Sequence, residues 1–304
     1  MKIYVNKVNE SWIIDRIRKD WYKNKQNIST NYIRRSDIVW ILSPWVWQNL
    51  SKKILEQKKV ICSHYHFDFD NFDEKEFYLL DRYVNEYHVI SQKTFQQLQS
   101  LTDKKITSIP FWVNQKIFKN LPDKDLLRSN FGLSNDDYLV GSFQRDTESN
   151  DLISPKLIKG PDIFVDLVKK LYKKNKNLKV ILAGKNRQYV IRHLKESNIP
   201  FRYFQMVNLK ELNELYNILD LYLVTSRIEG GPQAIMEAAI SKTPILSTDV
   251  GVASEILHSK SIFNHETFAN SEVNTEFAHK KSLEFTIPTG INKFEEMLRS
   301  VHES

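Results

Sequence analysis

The 304 residues, 41% hydrophobic and 27% charged, suit a soluble globular chain long enough for two cores of about 150 residues each. A single cysteine, Cys62, excludes an intrachain disulfide framework and fits a reducing compartment. The net charge of +7 suits phosphate-bearing ligands or an anionic membrane surface, but it is spread along the chain and supplies no arginine-rich arm for nucleic acid.

In chain order, the first half reads as buried strands at 3–5, 37–42, 59–63, 86–90 and 106–109. Helical spacing falls between them, in SPWVWQNLSKKILEQ and EKEFYLLDRYVN. VNKVNESWIIDRIRKDW, after the first strand, places Trp12, Asp15, Arg16 and Trp21 on a predicted helix, as sugar or headgroup contacts or as core packing. The second half repeats the alternation. Strands are predicted at 138–143, 178–184, 201–206, 221–226, 244–248 and 261–263, with helices at 161–174, 186–197, 209–218, 232–241 and 252–257. The tail INKFEEMLRSVHES is a last amphipathic helix.

Apolar strands alternating with helices predict parallel sheets covered on both faces, hence an α/β fold of two Rossmann-like domains. All eight glycines lie between Gly132 and Gly290, and all six tryptophans between Trp12 and Trp112, so the halves differ in construction. The expected domains are 1–120, 121–285 and a C-terminal helix, 286–304, packing back on the first. No apolar run approaches the roughly 20 residues of a membrane span. The start, MKIYVNKVNE, lacks the apolar core of a signal peptide. The expected location is therefore the cytoplasm, with the inner membrane face as a place for peripheral contact.

The chemistry concentrates in TSRIEGGPQAIMEAAISKTPILSTDVG, residues 225–251. Gly230 and Gly231 allow close backbone approach, and Pro232 stands where a first helical residue belongs. The N–H groups of such a helix tip form an anion site suited to a diphosphate. Glu237, in the second turn, leans back toward that tip and would reach a ribose hydroxyl, while Glu229 would meet the group the phosphates carry. The alternative is a Gly-Gly turn before an ordinary amphipathic helix.

Glu229-x7-Glu237 resembles the signature of retaining glycosyltransferases of the GT-B fold, in the family 4-like group. AGKNR (183–187) resembles the strand-end loop that borders the nucleotide base there, which implies donor contacts at Gly184 and Lys185. Arg227, Gly230, Gly231, Pro232 and Glu237 complete the implied donor-binding set. VISQKT and IPFWVNQKIF resemble the crossing between the two domains, and STDVG the strand and glycine turn after the motif. GSFQRD (141–146) and LIKGPDIFVDLVKKL (157–171) resemble the first strand and helix of the donor domain. By position, Arg145 and Lys159 would clamp the leaving diphosphate. Thirteen residues, DTESNDLISPKLI, separate these two cations, more than the family usually has, and Lys156 competes for the second role.

HYHFDFD, residues 64–70, sets His64, His66, Asp68 and Asp70 at alternate positions, one face of an extended chain. It follows a predicted parallel strand, at the edge where ligands of such sheets bind. The resemblance implies a histidine against the donor sugar there, His66 ahead of His64. No metal is implied, since Arg145 and Lys159 supply the positive charge. No cofactor is expected either.

The resemblance thus implies transfer from a nucleoside diphosphate sugar to a glycan or glycolipid hydroxyl, with retention, in the synthesis of bacterial-type cell-surface material. No nucleic-acid partner is expected. An inactive nucleotide-sugar-binding homologue and a sugar-nucleotide epimerase of the same architecture are the alternatives.

Overall fold

Each apolar run singled out above forms a strand, within two residues at either end, in a computed structural model that describes residues 1–8 and 13–304. Trp12 lies outside the described residues. The chain divides into two units, Met1–Trp112 with Glu284–Ser304, and Val113–Leu283.

The first unit holds β1 (Ile3–Val5), β2 (Ile38–Ile41), β3 (Lys59–His64), β4 (Glu86–Val89) and β5 (Lys105–Ser108), side by side in that order and all parallel. Its helices are α1 (Ile13–Asn24), α2 (Lys52–Leu55), α3 (Glu74–Asp81), α4 (Gln92–Gln99) and, from the end of the chain, α12 (Thr289–Glu303). β2 shows why its run is apolar throughout. Ile38 and Trp40 enter the cluster on one face of the sheet, and Val39 and Ile41 the cluster on the other.

Aromatic rings fill the first of these clusters. Trp21 of α1 meets Trp40 edge-on at 5.4 Å between centroids, and Phe294 of α12 stacks on Trp40 at 5.5 Å. Trp112 meets the same Phe294 at 5.0 Å. Each such buried ring is worth about 2–3 kcal/mol of transfer free energy. Beneath them runs a buried polar chain. Trp40 Nε1 donates to Ser63 Oγ (2.9 Å), Ser63 donates to His88 Nδ1 (2.9 Å), and His88 Nε2 donates to the Ile109 carbonyl (2.8 Å). That chain fixes a neutral tautomer, and burial lowers the His88 pKa to about 4.

Residues 43–57, predicted as one helix, are a 3-10 turn, Pro44–Asn49, followed by the single helical turn of α2. Val46 leaves helical angles (φ −124°, ψ 18°), Trp47 is buried, and Leu50 is extended. Burying the Trp47 ring overrides the local helical spacing.

The second unit contains β6 (Tyr138–Ser142), β7 (Leu178–Ala183), β8 (Phe201–Phe204), β9 (Leu221–Val224), β10 (Ile245–Thr248) and β11 (Ile262–Phe263). α5 (Lys124–Asn130), α6 (Pro161–Lys174), α7 (Gln188–Glu196), α8 (Leu209–Ile218), α9 (Gln233–Ile240), α10 (Ala253–Ile256) and α11 (Thr275–Leu283) accompany them. Strand order is β11-β10-β9-β6-β7-β8. The chain therefore leaves β6 toward β8, crosses back to β9, and continues the other way. β6 and β9 flank the switch point, where loops diverge and leave room for a ligand at the carboxyl ends.

Candidate functional site

The two loops at that switch point, 143–160 after β6 and 225–232 after β9, carry most of the residues singled out above. They are pressed together. Gly160 has φ +60°, and a Cβ there would stand 1.8 Å from the Thr225 carbonyl oxygen, so no side chain fits. Thr225 Oγ1 donates to the Gly160 carbonyl (2.8 Å), and the Arg227 and Ile228 amides both donate to the Ile158 carbonyl (2.9 and 3.1 Å).

This lacing brings Lys159 and Glu229 together. The Lys159 ammonium lies 2.6 Å from Glu229 Oε1, with the two side chains only 15% and 14% exposed. In such partial burial the pair is shielded from salt and strongly directional. Ser226 Oγ lies 3.2 Å from the same Glu229 oxygen and 3.1 Å from Gln144 Oε1, and Gln144 Nε2 donates to the Lys159 carbonyl (2.8 Å). Thr248 Oγ1 holds the Ser226 carbonyl (2.6 Å). One cation and one carboxylate, 70 positions apart in sequence, thus stand on a single hydrogen-bonded web.

The helix after the glycines, α9, begins at Gln233, with Pro232 as the extended residue before it (φ −60°, ψ 105°), one position later than predicted. Gly251 has φ +51°, and a Cβ on it would come within 2.2 Å of the Gly230 carbonyl oxygen, so the turn after β10 backs directly onto the glycine loop. Glu237 is 4% exposed and accepts a hydrogen bond from Tyr216 (3.1 Å), whose ring packs on Phe143 and Tyr222.

Arg145, half-buried, reaches toward Ser149 Oγ at 3.5 Å. Lys156, the competing cation, pairs instead with Glu148 (3.1 Å). Gly184 has φ +95°, and Lys185 is exposed on the loop after β7. Arg227 is committed to Asp162, donating to Oδ1 at 2.7 Å and to Oδ2 at 2.6 Å.

A buried pair missing from the sequence reading underlies this edge. Arg187 Nε lies 2.7 Å from Asp146 Oδ2, and neither side chain is more than 2% exposed. Arg187 also donates to the Gln144 carbonyl and to Ser142 Oγ (3.2 Å), so the loops after β6 and β7 share one fixed charge pair. The signal was present: an aspartate and an arginine each four positions past a strand end, where a loop's backbone otherwise lacks partners.

In the first unit, β3 ends at His64, so HYHFDFD does not stay extended. The His64 ring stacks on Phe67 (5.0 Å) and lies against Phe77 and Tyr87, its Nε2 buried without a hydrogen-bond partner. Burial, with a smaller contribution from His66, lowers its pKa to about 4. His66 is exposed. Asp68 accepts from Asn71 Nδ2 (2.9 Å) and Asp70 is exposed on the 3-10 turn Phe69–Asn71. Among the described residues no group of three or more His, Cys, Asp or Glu is placed to hold a metal ion. On α1, Trp21 is wholly buried, and Asp15 and Arg16 are half-buried. No helix among the described residues is long and apolar enough to cross a membrane.

Residues 153–276 match the family model of the glycosyl transferases group 1. Uncharacterized protein 356 of Sulfolobus islandicus rod-shaped virus 1 is 28% identical over 228 residues, which cover 69% of this chain and 58% of that protein, so the chain spans under two thirds of this relative. The crystal structure of Anabaena Alr3699/HepE in complex with UDP is similar with a TM-score of 0.76 at 15% identity, over 99% of this chain and 100% of that one. Sucrose-phosphate synthase from Thermosynechococcus elongatus gives 0.71 at 14% identity, over 97% and 80% of the two chains. The fold is GT-B, two parallel-sheet Rossmann-like domains.

Proposed function

We propose that the protein is a retaining glycosyltransferase that moves a sugar from a nucleoside diphosphate sugar to an acceptor hydroxyl. The observation that carries this reading is the Lys159–Glu229 pair, held beside the glycine loop at the switch point of the second sheet. When the donor breaks, its diphosphate gains negative charge, and a cation fixed in advance stabilises that charge without reorganising. Lys159 fills this role, with Arg145 as the second cation. Glu229 takes the hydroxyls of the transferred sugar. Glu237, oriented by Tyr216, takes the ribose. The amides around Gly230, Gly231 and Pro232 meet the phosphates, and Gly184 with Lys185 borders the base.

Retention rests on the sequence resemblance, and attack on the face of departure needs no covalent nucleophile. His66, the exposed member of the histidine pair, is the first unit's candidate for donor contact; His64 is occupied by its aromatic neighbours. A uridine nucleotide is the first donor to try, because HepE structures contain UDP or UDP-glucose. The net charge of +7 supports an anionic acceptor, a glycan or glycolipid, met at a membrane surface.

Thermal unfolding with UDP, GDP, ADP and their sugars tests the reading, since a ligand of the native state raises the midpoint. UDP and UDP-sugars are expected to raise it. Lys159→Ala should keep the fold and cut turnover at least about a hundredfold, near 2.7 kcal/mol of transition-state stabilisation. A panel of nucleotides with no effect on the midpoint removes the proposal.

A further inference from the structure

The loop that carries Lys159 is long. It runs through residues 143–160, and its inserted part folds on itself: Thr147 and Pro155 form an antiparallel bridge, and the Glu148 amide donates to the Ser154 carbonyl (3.0 Å). A loop lengthened in this way has more conformations to give up before its last residues take one position. The backbone bonds at Ile158 and Gly160 lace the returning end, Leu157–Gly160, to the loop after β9, and a side-chain hold beside them adds direction where Lys159 meets Glu229.

Arg227 and Asp162 stand where that hold acts. Arg227 lies two residues before Glu229, and Asp162 lies three after Lys159, in the first turn of α6. The guanidinium grips both carboxylate oxygens, at 2.7 and 2.6 Å, and its Nη1 also donates to the Leu157 carbonyl (2.9 Å). A bidentate fork fixes direction as well as distance, which a lysine in the same place would not. Hydrogen bonds from Arg227 hold the Asp162 carboxyl below its ordinary range, so the fork is intact at neutral pH. Both Nη1 protons and one Nη2 proton of Arg227 thereby go to protein, and the donor contact that the sequence resemblance implied for it would fall to the remaining N–H groups.

We infer that the Arg227–Asp162 fork is a positioning pair, which fixes the returning end of the inserted loop so that Lys159 and Glu229 meet in the donor site. The inference rests on the proposed function for its catalytic consequence, while its geometric content stands apart from it. Lys159 matters most as charge develops on the departing diphosphate, so loosening it lowers kcat more than it raises KM for the donor.

The test uses the full chain and four variants: Asp162→Asn, Arg227→Lys, Arg227→Met, and the exchange Arg227→Asp with Asp162→Arg. Each single variant is expected to lower kcat about tenfold, with KM for UDP-sugar within about twofold and little change in midpoint. The exchange is expected to recover much of the loss. In parallel, the rate at which acetic anhydride modifies Lys159 is followed by mass spectrometry in the absence of nucleotide. The pair with Glu229 protects that amine, so the single variants are expected to speed its labelling severalfold and the exchange to slow it again. Unchanged labelling of Lys159 in both Asp162→Asn and Arg227→Met overturns the inference. So does a rise in donor KM in the Arg227 variants with none in Asp162→Asn, which would make Arg227 itself a donor ligand. If the unaltered protein binds no nucleotide and transfers no sugar, the proposed function fails, and the labelling rates still decide whether the fork holds Lys159.

Discussion

The two units solve the same packing problem with different materials. Both are parallel sheets with helices on their faces, yet the first contains one glycine, Gly290, and sets a group of touching rings, Trp21, Trp40, Trp112, Phe111 and Phe294, among the aliphatic side chains of its core. The second unit keeps a core with no tryptophan, mainly Val140, Val168, Val180, Leu182, Leu223 and their neighbours with Phe164 and Phe263, and places two of its glycines where backbones nearly collide, at Gly160 and Gly251. Bulky rings give volume and rigidity. Close backbone approach gives a loop edge where amides and charges can crowd a ligand. The contrast matches the gathering of candidate chemistry in one unit and of all six tryptophans in the other.

That contrast can be attacked from its strongest side first. Trp40→Ala or Phe294→Ala removes a ring that several others lean on, and should cost about 3–5 kcal/mol in urea titrations. Tryptophan fluorescence should report the loss, since the six tryptophans fall within residues 12–112, and spectroscopic probes placed in the second unit should change little. Equal loss in both units would show that the units do not unfold separately.

Acid should separate them next. His88 has a folded pKa near 4 against about 6.5 in the unfolded chain. The unfolded state therefore takes up a proton first as pH falls, and the stability present above pH 6.5 is lost progressively down to about pH 4. The shift is worth about 3 kcal/mol for His88. Urea midpoints for the first unit at pH 7 and pH 4.5 should differ in that direction, with His64 adding to the loss, and a flat profile would mean that both imidazoles are hydrated or already charged.

Gly160→Ala strikes the second unit at its tightest contact. With φ at +60° and the Thr225 carbonyl in the way, the cost should be about 2 kcal/mol, and nucleotide binding should weaken with it. The smallest effect belongs to Asn208→Ala. Asn208 caps α8 by accepting from the Lys210 and Glu211 amides and belongs to neither switch-point loop, so its loss should cost about 1 kcal/mol with nucleotide binding intact.

Much of the architecture was legible beforehand because buried parallel strands leave unbroken apolar runs, and every one of those runs became a strand. Loss of legibility follows distance and burial. The segment 43–57 has helical spacing, but Trp47 is drawn into the core and Pro44 starts a tighter turn. HYHFDFD looked extended, but the aromatic cluster of Phe67, Phe77 and Tyr87 captures His64 as the strand ends. The candidate site residues stood out as a motif, since glycines and carboxylates at fixed spacing around a helix start are the pattern expected of an anion site. Their partners were not. Nothing local to Arg227 announces Asp162, and nothing local to Asp146 announces Arg187, because each pairing is made by strand order rather than by sequence spacing.

The return of α12 to the first unit has a consequence for biosynthesis. The second unit is one continuous stretch and has all its strands and helices as soon as residue 283 clears the ribosome. The first unit must wait. Its tryptophan cluster stays open toward solvent until Phe294 and Leu298 arrive, so a polypeptide halted before them would expose indole rings to whatever nascent chains or chaperones are nearby.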